Sequence, residues 1–153
     1  MSLKKIGLSL VAAFGLSAGM AVLAFAGEAK TEATDQVASE ILFTGTWEKK
    51  SFKVAGTWEI YEANGKQFVK LSSDFKTRKA PDLKIFLSPL TAAQTSGRNA
   101  TDSSVLISPL SSNKGAQVYE IPAGVNIADF KSIVIHCEQF SKLWSAADLK
   151  VTS

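Results

Sequence analysis

Cysteine and histidine are the residues that this 153-residue sequence lacks most clearly, since it has one of each, Cys137 and His136. One cysteine excludes an intrachain disulfide. A blue-copper centre needs two histidines, a structural zinc site needs four Cys or His ligands, and c-type haem attachment needs a Cys-x-x-Cys-His motif, so all three are excluded. A hydrolase needs a nucleophile beside a base, and the candidates are too few. The sequence therefore argues against a stand-alone enzyme.

An excess of charge of one sign is also missing. The chain has 17 Lys and Arg against 14 Asp and Glu, a formal net charge of +3. Lys4 and Lys5 belong to an N-terminal segment that we expect to be removed, and without them the balance is 15 against 14. A chain so close to neutrality lacks the basic excess that attracts nucleic acid. We therefore expect no nucleic-acid partner.

The first 26 residues have the pattern of a secretory signal peptide. Lys4 and Lys5 precede an uncharged apolar run that ends in Ala24-Phe25-Ala26. A positive start, an apolar middle and small residues at the cut are typical of such peptides. The run is nearly long enough for an uncleaved membrane anchor, but the glycines and serines within it favour cleavage. We expect cleavage before Gly27, a periplasmic or extracellular location, and no stable membrane span afterwards.

Beyond the signal peptide, the sequence indicates one all-β domain. Residues 27–41 are small and polar and predict a flexible lead-in, and the domain follows from residue 42 to residue 153. Short β-branched and aromatic runs alternate there with turn residues, a pattern typical of an antiparallel β-sandwich. Eight short strands are predicted: LFTGTWE, KSFKVAG, TWEIYEA, KQFVKLSS, LKIFLSP, SVLISPL, AQVYEIP and SIVIHCE.

One hairpin is specified down to its register. Asn64-Gly65 is the favoured pair for a two-residue type I′ turn. Folding back at this turn places four apolar residues on one face: Trp58, Ile60, Val69 and Leu71. Glu59 then lies opposite Lys70 on the other face, and a slip of one residue would destroy both matches.

Two segments lack a clear strand pattern. Residues 91–104 are polar and poor in large apolar side chains, which predicts a long surface loop. Residues 140–149, FSKLWSAADL, fit either a helical turn or a returning strand, and the pattern does not choose between them.

Cys137 and His136 are the candidate redox or cofactor-binding residues. Along a strand, successive side chains point to opposite faces, so Cys137 shares a face with Ile133 and Ile135 while His136 shares one with Val134. The two cannot then act together as nucleophile and base or ligate one metal ion. Only a bulge or a strand end at this point would bring them together.

Each of these two residues has two interpretations. Cys137 is either a small buried hydrophobe or, because the strand ends just after it, a thiol close to solvent that reacts or binds a metal or haem. His136 is either a surface imidazole or a single haem ligand. The sequence favours the first interpretation for both residues.

The segment between the fourth and fifth predicted strands carries the weak metal candidates. Asp74 and Asp82 flank a basic cluster of Lys76, Arg78 and Lys79. The two carboxylates are candidate ligands for calcium or magnesium. The alternative assigns Asp74 to a turn and Asp82 to an extended step into the next strand. The basic cluster predicts a solvated loop, or a docking point for an acidic partner.

Several segments together resemble the DM-thirteen domain, catalogued as an electron-transfer domain, over residues 42 to 150. They are FTGTWE, DFKTRKAPDLKIFLSP, GAQVYEIP and FKSIVIHCEQFSKLWSAADL. The resemblance implies an extracytoplasmic β-sandwich in which Cys137 takes part in redox chemistry or binds haem. His136 stands where the family often has an aromatic residue, and Trp144-Ser145 stands where it commonly has Phe-Gly.

Two functions follow as hypotheses. In the first, the chain is an exported redox-linked or ligand-binding module in which Cys137 reacts or coordinates a cofactor, serving a redox or envelope protein partner. In the second, the chain is a non-catalytic extracytoplasmic binding module in which Cys137 is buried and inert. The accessibility of the thiol separates them.

Overall fold

The computed structural model describes residues 38–151, so the predicted signal peptide and most of the predicted lead-in lie outside the described residues. Within this range the strands are β1 (Glu40–Thr46), β2 (Glu48–Lys49), β3 (Thr57–Ala63), β4 (Lys66–Leu71), β5 (Leu83–Ser88), β6 (Val105–Pro109), β7 (Gln117–Glu120), β8 (Ser132–Cys137) and β9 (Lys142–Asp148). Two short 3₁₀ helices, η1 (Ile127–Asp129) and η2 (Glu138–Phe140), flank β8. None of the helices in residues 38–151 is long and apolar enough to cross a membrane.

The strands form two antiparallel sheets, which confirms the predicted all-β class. The first sheet has the order β1-β3-β4-β7, and the second has the order β2-β9-β8-β5-β6. One hydrophobic core lies between them and takes residues from both sheets, such as Trp58 and Ile60 from the first and Ile133 and Ile135 from the second. The inner faces of the two sheets therefore pack against each other, as in a sandwich.

The β3–β4 hairpin has the predicted turn and register. Asn64 and Gly65 have φ angles of 53° and 69°, as a type I′ turn requires. The predicted cross-strand partners are confirmed, and the four apolar residues of the inner face have no exposed surface: Trp58, Ile60, Val69 and Leu71. On the outer face, Glu59 and Lys70 form an ion pair at 3.2 Å.

One predicted strand is wrong, and the structure decides the conformation of the segment that the sequence left open. The segment KSFKVAG is not a strand, because the chain crosses here from the second sheet to the first. Ser51 and Phe52 still donate backbone hydrogen bonds to β9, and Ala55 makes an isolated bridge to Lys76. The undecided C-terminal segment resolves into η2 followed by β9, which pairs with β8 along its length. This pairing makes β8 a central strand of the second sheet.

Residues 91–104 form the predicted loop between β5 and β6, and this loop also covers the outer face of the second sheet. The segment contains no strand, but Ala92 and Ala100 are buried in a second hydrophobic cluster. This cluster includes Phe86, Val134 and Leu143 from the outer face of the sheet. Alanine is small enough to let the loop backbone approach the sheet, which is why a segment without large apolar residues packs so closely.

Candidate functional site

Cys137 lies on the inner face of β8, with no exposed surface. It belongs to the core between the sheets together with Ile133 and Ile135, as strand alternation predicts. The strand ends at Cys137, but η2 follows immediately and Leu83 of β5 pairs with it, so the thiol does not reach solvent. The favoured interpretation of Cys137 as a small buried hydrophobe therefore agrees with the structure, and the alternative of a thiol close to solvent does not.

His136 points the other way, into the second cluster, and only 3% of its surface is exposed. Its Nε2 atom is 3.0 Å from the carbonyl oxygen of Gly97, and its ring meets the Phe86 ring edge-on. A carbonyl only accepts hydrogen bonds, so Nε2 carries the proton. The Nδ1 atom is buried and has no hydrogen-bond partner in the described part of the chain. The prediction of a surface imidazole is wrong because the 91–104 loop covers this face.

The two side chains do not converge. The register between β8 and β5 is regular, with Leu83 opposite Cys137 and Lys84 opposite His136. A bulge does occur nearby, but it lies in β9 at Trp144, between the partners of Ile135 and His136. Neither Cys137 nor His136 lines any of five clefts found on the described residues. This geometry does not fit a haem or a metal ion held by both residues.

The weak metal candidates, Asp74 and Asp82, are engaged by other side chains. Asp74 accepts a hydrogen bond from the Ser72 hydroxyl at 2.6 Å, as expected for a turn residue. Asp82 pairs at 3.2 Å with Lys84, which also pairs with Glu138. The Glu138 carboxylate first, and then that of Asp82, raise the pKa of Lys84. Across residues 38–151, no three His, Cys, Asp or Glu residues are grouped so that they could hold a metal ion.

The most distinctive accessible feature is a cleft of about 320 Å³ that we call the cationic–aromatic cleft. Its chemistry comes from three aromatic and three basic residues: Phe52, Phe140, Trp144, Arg78, Lys79 and Lys142. Ala80 and Pro81 complete its wall. The residues come from three separate parts of the chain, which the sandwich brings to one edge of the second sheet.

An aromatic stack forms the floor of this cleft. The rings of Phe52 and Trp144 have centroids 4.1 Å apart, and the Trp144 indole N–H donates to the Thr77 hydroxyl at 2.9 Å. The Arg78 guanidinium lies 5.2 Å and the Lys142 ammonium 5.7 Å from the centroid of the Phe52 ring. Both distances are within the range of cation–π attraction, so the ring holds two cations together.

These cations have no counter-ion among the described residues. None of Arg78, Lys79 and Lys142 takes part in an ion pair within residues 38–151. Lys84, on the neighbouring strand β5, has two carboxylate partners. The cleft therefore presents uncompensated positive charge beside aromatic carbon, a combination suited to binding an anionic group attached to an apolar body.

The sequence indicated only two of these six aromatic and basic residues as a group. The basic cluster that includes Arg78 and Lys79 was visible as a local charge pattern. The other contributors, Phe52 and Lys142, are distant in sequence, and no local pattern connects them. Phe52 lies in a segment predicted to be a strand, and its position follows from the crossing between the sheets.

The fold and this site define a small antiparallel two-sheet domain with a sealed thiol. The family model described as electron transfer DM13 matches residues 46–149, which is most of the chain. The chain belongs to this family, and the resemblance stated from the sequence is confirmed. The family supports a redox-related role. No curated protein and no solved structure gave a match.

Proposed function

We propose that this chain is an exported, non-catalytic binding domain of the electron-transfer family, in which Cys137 is a core residue. The single observation that carries the proposal is the position of the thiol, which has no exposed surface and faces away from His136. A reactive cysteine needs partial exposure and a nearby positive charge to stabilise its thiolate. Cys137 is instead surrounded by aliphatic and aromatic core residues.

The proposed binding role is supported by the cationic–aromatic cleft on the surface of the domain. The cationic–aromatic cleft is open to solvent and holds, beside an aromatic stack, cations that have no acidic partner within residues 38–151. A redox-related role for such a domain is then carried out through the partner that it binds. Export is supported by the N-terminal pattern of Lys4, Lys5 and Ala24-Phe25-Ala26.

The family match favours a second candidate, a redox-linked module in which Cys137 reacts or coordinates a cofactor such as haem. For this function the core around Cys137 would have to open, since the side chain is completely covered. A transient opening of this kind exposes the thiol to solvent at a measurable rate.

Thiol labelling of protein purified from cells that express the full chain tests the two candidates. We expect labelling with a maleimide only after urea unfolding, no Soret absorption and no stoichiometric metal. A matched control places an exposed thiol on the same fold: the variant Cys137→Ala with Val118→Cys, since Val118 is 53% exposed. This variant should label quickly in the native state. Fast native labelling of Cys137, a Soret band or bound metal would favour the second candidate.

The N-terminus of the exported protein tests the proposal of export. Intact-mass measurement should give a chain that begins at Gly27. Ala26→Phe should abolish cleavage, because a signal peptidase needs a small residue immediately before the cut. The control Phe25→Leu should be processed normally, since the middle position of the Ala-x-Ala pattern is permissive. Absence of the chain from the exported fraction would contradict the proposal of export, and an exported chain that keeps its first 26 residues would contradict cleavage before Gly27.

A further inference from the structure

We infer that the cationic–aromatic cleft binds an acidic segment of a partner protein, in which carboxylate side chains alternate with an aromatic or large apolar side chain. The inference rests on the proposed function, because it names the partner chemistry of the binding domain. Three observations carry it: the uncompensated cations, the exposed apolar surface around them, and the extent of the groove.

Two of the cations border one aromatic ring, and no counter-ion for them lies among the described residues. The Arg78 and Lys142 charges lie 5.2 and 5.7 Å from the same Phe52 centroid, so their separation cannot exceed the sum of these distances. Lys79 lines the same cleft, and none of the three pairs with an acid in the part of the chain that the structure describes. Like charges at this spacing repel, and a bound carboxylate relieves the repulsion.

The cleft also offers apolar contact. Phe140 is 56% exposed at its edge, which is unusual for a large aromatic side chain, and Pro81 lines the same wall. An exposed aromatic beside an arginine matches the composition of interface centres, where aromatic residues and arginine are enriched. A simple inorganic anion would use the charges and leave the Phe140 ring in water.

The groove is longer than one small ligand needs. A second cleft of about 410 Å³ shares Lys79, Ala80 and Pro81 with the cationic–aromatic cleft. Its other lining residues are Leu83, Pro109 to Asn113 at the end of β6 and in the loop that follows, and Asp82, whose carboxylate pairs with Lys84. The two clefts therefore adjoin at the three shared residues, which leaves room for a peptide that extends past the cationic–aromatic cleft. This extent favours a protein segment over a compact metabolite.

Titration with defined peptides tests the inference. The protein is mixed with a fluorescein-labelled peptide, Glu-Glu-Phe-Glu-Glu-Phe-Glu, and binding is followed by anisotropy and by amide chemical shifts. We expect saturable binding that weakens as salt rises, with the largest shifts at Arg78, Phe140 and Lys142. A peptide with Gln in place of every Glu should bind at least about tenfold more weakly.

Charge variants locate the binding. Arg78→Glu with Lys142→Glu should weaken binding of the acidic peptide at least about tenfold, and the neutral pair Arg78→Gln with Lys142→Gln should have a smaller effect in the same direction. Lys131→Glu is the matched control, because Lys131 is an exposed lysine at the opposite end of β8 and should alter binding less than about twofold. Unchanged amide spectra outside the cleft show that each variant is folded.

Three outcomes would overturn the inference. They are no saturable binding of the acidic peptide, equal binding by the double charge-reversal variant, and binding to phosphatidylglycerol vesicles without binding to the peptide, which would assign the surface to lipid. These outcomes are separate from the thiol measurement. A sealed thiol without peptide binding would leave the proposed function standing and remove only this partner.

Discussion

The two sheets of this domain bury their outer faces very differently. On the first sheet the outer face is open to water, with ion pairs such as Glu59–Lys70 and an exposed Val118. On the second sheet the loop 91–104 covers the outer face, and all six residues of β8 are buried. The first sheet is a half-buried layer, whereas the centre of the second is enclosed on both sides.

The difference is visible in the composition of the strands. Strand β3 alternates between apolar and polar residues, as a sheet with one wet face does. Strand β8, SIVIHC, has an apolar or small residue at nearly every position, which is typical of a strand that is buried on both faces. An uninterrupted run of apolar and small residues therefore indicates that another segment packs over the outer face of the strand, even where the sequence does not show which segment does so.

The largest expected effect comes from placing a charge on each outer face. Val134→Lys should lower the free energy of unfolding by at least about 3 kcal/mol, because Val134 is fully buried beneath the loop and an ammonium there has no partner. Val118→Lys, on the open face, should change it by less than about 0.5 kcal/mol. Urea unfolding followed by tryptophan fluorescence measures both. Similar values for the two variants would mean that the loop does not seal the second sheet.

A smaller loss of stability should follow from loosening the contact between the 91–104 loop and the second sheet. A Cβ atom at Gly97 would clash with the Ser141 carbonyl oxygen, so in Gly97→Ala the loop and the turn that contains Ser141 must move apart. We expect a loss of about 1–3 kcal/mol and disappearance of the protected His136 ring N–H signal, since Gly97 supplies its acceptor.

Gly65→Ala serves as the control for this experiment. It is also destabilising, because Gly65 has a φ of +69°, but it meets no atom within 4 Å and lies in the β3–β4 turn. It should therefore leave the His136 signal unchanged. An unaltered His136 signal in Gly97→Ala would contradict the packing of the loop on this histidine.

Alkaline pH tests Lys84, a charged residue on the outer face of the second sheet. Lys84 lies opposite His136, and its acidic partners raise its pKa in the folded state. A raised pKa means that the stabilisation is fully present below the unfolded value of 10.5 and is lost as pH rises through the folded value. Unfolding curves should therefore show Lys84→Met less stable than the native protein at neutral pH. The difference between their free energies of unfolding should shrink above pH 10.5. For Lys131→Met, the difference in free energy of unfolding from the native protein should not shrink in this way. A difference for Lys84→Met that stays constant with pH would contradict the pairing of Lys84 with its two carboxylates.

The smallest expected effect belongs to the open face. A double-mutant cycle on Glu59 and Lys70 should give a coupling energy of about 0.2–1 kcal/mol, because the pair is exposed and cross-strand. The charge-swapped protein, Glu59→Lys with Lys70→Glu, should recover most of the stability lost in either single variant. A coupling of several kcal/mol would show that this face is less hydrated than the structure indicates.

Local signals predicted most of the fold. The Asn64-Gly65 turn, the register of its hairpin and the opposite orientations of Cys137 and His136 all follow from backbone geometry within a few residues. The burial of His136 could not be predicted in this way. It depends on a polar loop about forty residues away, whose small alanines carry no apolar pattern.

By itself, the sequence determined the all-β class, the alternation of side chains along each strand, the family and the scarcity of possible metal ligands. The tertiary structure alone decided that the Cys137 thiol is sealed and that Phe52, Arg78 and Lys142 meet in one cleft. The physical reason is the distance along the chain over which each kind of interaction acts. Turn and strand preferences act between near neighbours in the chain, whereas burial and the grouping of charges depend on which distant segments the packed sheets bring together.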